Sequence, residues 1–218
     1  MLTGSPQKRS AIHLALLLIA AGCAAAPPQD RPRSAAGTTP ADLFLARIAQ
    51  HCGQSFTGRV VADQPPPAPG RDAFAGKTLI MHVRRCEPGR IEIPFHVGDD
   101  RSRTWLLTRT EAGLRLKHDH RHADGSPDDV TLYGGDTATA GSASRQEFPV
   151  DVESIAMFER AGLAASVRNT WAIEIEPGET FVYELARPGG RLFRVEFDLT
   201  APVATPPAPW GQDAGADR

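Results

Sequence analysis

The sequence predicts a mainly β domain: an antiparallel meander that closes into a barrel or stacks as a sandwich, with a short N-terminal helix and one helix near 151–162. Three observations carry this expectation. Between Phe56 and Leu199 the apolar residues recur mostly at a period of two, the signature of strands with one buried and one wet face. The runs are punctuated by turn clusters such as Glu87-Pro88-Gly89, Glu111-Ala112-Gly113, Pro177-Gly178 and Pro188-Gly189-Gly190. Connections this short join only antiparallel neighbours, and a meander of about nine strands must close or stack to hide its edges.

Ahead of that region, Lys8 and Arg9 precede the apolar run "AIHLALLLIAAGC", which is too short to span a bilayer permanently and reads as a secretory leader over 1–22. Its end, Ala20-Ala21-Gly22-Cys23, resembles the lipobox of bacterial lipoproteins, with Ala20 standing where Leu is usual. That resemblance implies lipidation of Cys23 and attachment to the membrane surface; Ala24 in the sorting position implies the outer membrane of the cell envelope, facing the periplasm. Residues 23–40 are rich in Pro and Ala and read as a flexible tether. The domain is expected over 41–201, followed by a disordered Pro- and Ala-rich tail over 202–218.

Thr39 as hydroxyl cap, Pro40 in the first turn and Asp42 as an early acid start the first helix, which Gly53 stops. The strands follow as "FTGRVVA", "KTLIMHVRRC", "RIEIPFHV", "RTWLLTRT", "GLRLKHDHRH" and "VTLYGG". A second helix, "DVESIAMFERAG", has Asp151 as cap and Gly162 as stop; "TWAIEIEP", "TFVYELARPGG" and "RLFRVEFDLT" complete the meander. Alternation is clearest in the last of these, where Phe193, Val195, Phe197 and Leu199 oppose Arg194, Glu196 and Asp198. With Cys23 set aside, Cys52 and Cys86 form an even pair in an exported chain and are expected to close a disulfide.

The element order resembles the lipocalin and fatty-acid-binding-protein group of barrels, although three strands after the second helix depart from it. The resemblance implies an interior that receives a small ligand.

"LRLKHDHRHADG" holds the candidate site. A period of two places His118, His120 and His122 on the face of Leu114 and Leu116, with Arg115, Lys117, Asp119 and Arg121 opposite. A symmetric turn through "ADGSPDD" would set His118 against Gly134, leaving room beside the imidazole, so the three histidines and Gly134 are the candidate ligand-binding residues. The same histidines are the candidate metal ligands, for zinc or copper. Residues two apart on a strand lie about 6.6 Å apart, within reach of one ion, whereas those four apart lie about 13 Å apart, so a pair completed by other strands is the expected chelate. Hydrogen-bonded interior histidines are the competing reading.

A net charge of -2 with mixed signs excludes a nucleic-acid footprint. No Gly-x-Ser-x-Gly elbow appears, and a metal-assisted hydrolase would need a base such as Asp119 or Asp136. The sequence therefore points to a lipid-anchored envelope protein that binds a small ligand or metal ion rather than an enzyme. A structural lipoprotein docking an envelope partner is the first alternative, and the metal-assisted hydrolase is the second.

Overall fold

The computed structural model describes residues 1–4 and 38–212. Apart from residues 1–4 and 38–40, the leader, Cys23 and the tether lie outside the described residues.

The opening helix α1 (Pro40–Ala49) starts as its sequence directs: the Thr39 side chain accepts from the Asp42 amide while the Asp42 carboxylate accepts from the Thr39 amide. Asp42 also accepts from Arg109 Nε at 2.7 Å, and that hydrogen bond, more than any other factor, holds its carboxyl well below the usual carboxylate range. The buried face, Ala41, Phe44, Leu45 and Ile48, enters the core.

The strands are β1 (Ser55–Gln64), β2 (Leu79–His82), β3 (Arg85–Glu87), β4 (Arg90–Val97), β5 (Asp100–Arg109), β6 (Leu114–His120), β7 (Tyr133–Asp136), β8 (Arg145–Pro149), β9 (Thr170–Glu176), β10 (Thr180–Arg187) and β11 (Arg191–Asp198). Helix α2 (Val152–Arg160) and a 3-10 turn (Ala164–Arg168) lie between β8 and β9. All pairings are antiparallel, and the order β7-β6-β5-β4-β2-β1-β11-β10-β9-β8, with β3 beside β4, forms an 11-stranded sheet nearly closed into a barrel. Of the two architectures expected, the barrel is the one adopted.

The seam lies between β7 and β8, which share no ladder. It is bridged through backbone: the Asp151 amide donates to the Gly134 carbonyl at 2.9 Å, and the Gly134 amide donates to Ser154 Oγ at 2.8 Å. The approach is close. A Cβ on Gly135 would stand 1.7 Å from the Pro149 carbonyl oxygen, and one on Gly134 would stand 1.9 Å from that of Leu116. The paired glycines are there because no side chain fits.

Helix α1 covers one end of the barrel. Arg47 pairs with Glu176 at 3.6 Å, His51 Nε2 accepts from the Gly178 amide at 3.1 Å, and Cys52 is bonded to Cys86, as the cysteine count predicts. The opposite end carries the mouths of β5, β6, β10 and β11.

Four differences from the expected elements have physical causes. "KTLIMHVRRC" divides into β2 and β3, because the Val83 amide turns to the Gln54 carbonyl and the Arg84 amide to that of Glu92. Strand β8 has too few residues, between Ser-rich and Pro-ended flanks, to show a period. The register of β6 on β7 sets His118 against Tyr133 and Lys117 against Gly134. The Asp128 amide bonds the His120 carbonyl and the Leu132 amide bonds that of His118, so four residues of the returning chain oppose two of β6, and the turn is not symmetric.

The fourth difference is the tail. Residues 202–212, expected from composition to be disordered, run along the outside of the sheet: Val203 bridges Ser55, Arg101 donates to the Ala208 carbonyl at 2.9 Å, and the Trp210 amide donates to the Arg101 carbonyl at 3.1 Å. Prolines lower the entropy lost on ordering such a segment. Outward-facing His96 is buried on β4, and burial lowers its pKa from 6.5 to about 4. Residues 213–218 lie outside the described residues.

Two stability outcomes are expected. Gly135→Ala should lower unfolding free energy by roughly 3 kcal/mol or more, because backbone on both sides of the seam must move. Replacing both Cys52 and Cys86 by Ser releases a loop with a sequence separation of 34 and should cost about 4 kcal/mol by chain-entropy arithmetic. Urea melts of each variant against wild type check both.

Candidate functional site

The inward rows of β5, β6, β10 and β11 meet near the open end. Strand register aligns Arg103 with His120 and Trp105 with His118, then Leu185 with Phe193 and Arg187 with Arg191. Between these rows lies a cavity of about 180 Å³, walled by Phe95, Trp105, Tyr183 and Phe193 and edged by Arg103, His120 and Arg191. It is smaller than drug-sized sites of about 300–1,000 Å³.

The walls are aromatic stacks. Trp105 lies 4.5 Å from Tyr183 and 5.0 Å from Phe95, centroid to centroid, both nearly parallel. Phe74, from the loop after β1, covers the mouth, stacked on Phe193 at 4.9 Å. Its position is set by Asp72, whose carboxylate accepts from the amides of Phe74 and Ala75 at 2.8 and 3.2 Å.

His118 is buried at 3 % exposure and stacked on Tyr133 at 4.7 Å. Its Nδ1 faces the Tyr133 carbonyl at 3.1 Å, a group that only accepts, so the proton resides on Nδ1. Nε2 then accepts from the Tyr183 hydroxyl at 2.8 Å. Burial lowers the His118 pKa from 6.5 to about 3 and raises that of Tyr183 well above 10. His120 is half-buried, with Nε2 3.1 Å from the Tyr133 hydroxyl; burial first and the Arg103 charge second lower its pKa. Tyr133 is pushed up to about 12, chiefly by burial. At neutral pH the imidazoles and phenols are thus uncharged hydrogen-bonding groups, and positive charge at the cavity comes from Arg103 and Arg191. Arg103 is held by Asp100 at 2.6 Å, and Arg191 by Asp63 and the Gln64 carbonyl.

Of the residues singled out from sequence, the structure brings His118 and His120 into the cavity lining. His122 lies beyond β6 in the turn, its ring exposed and its amide donating to the Ser126 carbonyl at 2.9 Å. Gly134 is buried at the seam rather than at the cavity wall. Asp119 and Asp136, the candidate bases, face outward and are tied to Arg121 and Arg115. Among the described residues no group of three or more His, Cys, Asp or Glu side chains is placed to hold a metal ion. Arg103, Arg191, Tyr133 and Tyr183 are not singled out by sequence pattern, although each of the arginines extends an apolar row two residues beyond an aromatic.

Comparison of the chain with protein-family models, curated proteins and solved structures finds no match to any of them.

The buried neutral histidine couples stability to pH. His118 stays unprotonated in the folded state down to about pH 3, while the unfolded chain takes up its proton near 6.5. Its contribution is therefore complete above pH 6.5 and is lost progressively as pH falls towards 3, on the order of 5 kcal/mol in all. In urea melts from pH 7 to 4, His118→Phe should show a shallower decline of stability with acidification than wild type, whatever its stability at pH 7.

Proposed function

We propose that the protein is anchored by lipid to the outer membrane of the cell envelope and that its barrel binds a small amphiphile. The single observation that carries the ligand reading is the cavity at the open end: apolar aromatic walls, a few convergent polar groups and cationic edges, the composition of a site that buries an apolar body and orients a polar head. A closed end under α1 and a mouth flanked by Phe74, on the loop after β1, support entry from the top.

The geometry favours an organic ligand over zinc or copper. His118 has both ring nitrogens engaged with Tyr133 and Tyr183, and taking up a metal would leave a buried phenol without its acceptor. The anchoring part of the proposal rests on the leader alone, where the Ala-Ala-Gly-Cys end and the basic flank agree.

Titration with a naphthalene carboxylate should produce a saturable change in tryptophan fluorescence through Trp105, and Leu185→Trp, which fills the cavity, should remove saturable displacement of a radiolabelled probe. Zinc or copper uptake that depends on His118 and His120, with no organic probe bound, would overturn the ligand class. In cell fractionation, wild type should sediment with membranes and Cys23→Ser should not.

A further inference from the structure

Directly outside the cavity lies a larger groove of about 710 Å³, and the two share Phe74 and Arg191. Four guanidinium groups line it, from Arg71, Arg168, Arg187 and Arg191, against two carboxylates, Asp63 and Asp72. Asp63 is committed to Arg191, and Asp72 to the amides of its own loop. The side chains of Arg168 and Arg187 make no hydrogen bond or ion pair among the described residues.

This arrangement is costly for a protein with nothing in the groove. Arg187 and Arg191 are directly opposite on β10 and β11, at the mouth of the Pro188-Gly189-Gly190 hairpin, and like charges in that position repel. Arg168 is brought to the same place by the 3-10 turn after α2. Burial first, then the charges of Arg191 and Arg168, lower the pKa of Arg187, so the cluster disfavours its own ionisation. Two uncompensated positive charges remain, and planar guanidinium forks suit the tetrahedral oxygens of a phosphate. A monoanionic carboxylate would neutralise only one of them.

We propose that Arg168, Arg187 and Arg191 form a receptor for a dianionic phosphate-type head, carried by an amphiphile whose apolar body passes Phe74 into the barrel. The inference rests on the cavity reading above and names the chemical class of its ligand, an alkyl or aryl phosphate monoester. Arg191 is the hinge of the site, because it faces both spaces and packs over Phe193 at 5.8 Å.

The test uses octyl phosphate, 1-octanol and inorganic phosphate, titrated by calorimetry into the protein as the cell produces it, wild type and R168Q/R187Q. Wild type should prefer octyl phosphate over 1-octanol by at least about tenfold for each charge-assisted contact made, and the double variant should lose most of that preference. Neither guanidinium bonds to the fold among the described residues, so circular dichroism of the variant should match wild type. Equal affinity for octyl phosphate and 1-octanol, unchanged in R168Q/R187Q, would overturn the receptor and leave the barrel cavity standing. Inorganic phosphate bound as tightly as octyl phosphate, both lost in the variant, would overturn the amphiphile and the cavity reading together and identify a free oxyanion as the ligand. Binding of none of the three would overturn both as well.

Discussion

Closure of one antiparallel sheet on itself is the constraint from which the rest follows. Once β1 pairs with β11 and the path runs round to β7 and β8, every second residue of each strand faces a single interior. Leucines at the α1 end continue into histidines and arginines at the other because the same strands run from a sealed end to an open one. The seam completes this arrangement with backbone alone, and glycines at 134 and 135 are the sequence cost of bringing chains that close.

Within that interior, the buried imidazole of β6 is a satisfied member of a hydrogen-bonded network. His118 sits among Trp171, Tyr133 and Tyr183, and its two ring nitrogens meet one acceptor and one donor. A low-dielectric environment makes each of these bonds stronger and makes loss of either partner costly. The result is an uncharged floor beneath a charged rim.

Much of this was legible in the sequence. The period of two placed Leu114, Leu116, His118 and His120 inward, the cap at Thr39 and Asp42 marked α1, and the cysteine count paired Cys52 with Cys86. What escaped was decided by long-range backbone geometry. The bulge after His120 shifts Gly134 away from His118, and nothing local in "ADGSPDD" fixes how many residues loop out. Arg103, Arg187 and Arg191 obey the same alternation as the histidines. An arginine at a strand end reads equally well as solvated, so only the convergence of four strands reveals the cluster. Tail residues 202–212 show that Pro-rich composition measures the absence of a local core, not the absence of a surface to lie on.

The junction of α1 with the sheet has a mechanical consequence. Force applied through the chain at Thr39 reaches the helix before any strand, and a helix of one amphipathic face would ordinarily peel away turn by turn. Here the Arg109 contact to Asp42 at its first turn and the covalent link from Cys52 just past its last turn hand that load to β5 and β3. The strands then bear it together, so a chain held at its N-terminal side transmits tension into the barrel wall while the arginine-lined mouth at the far end keeps its shape.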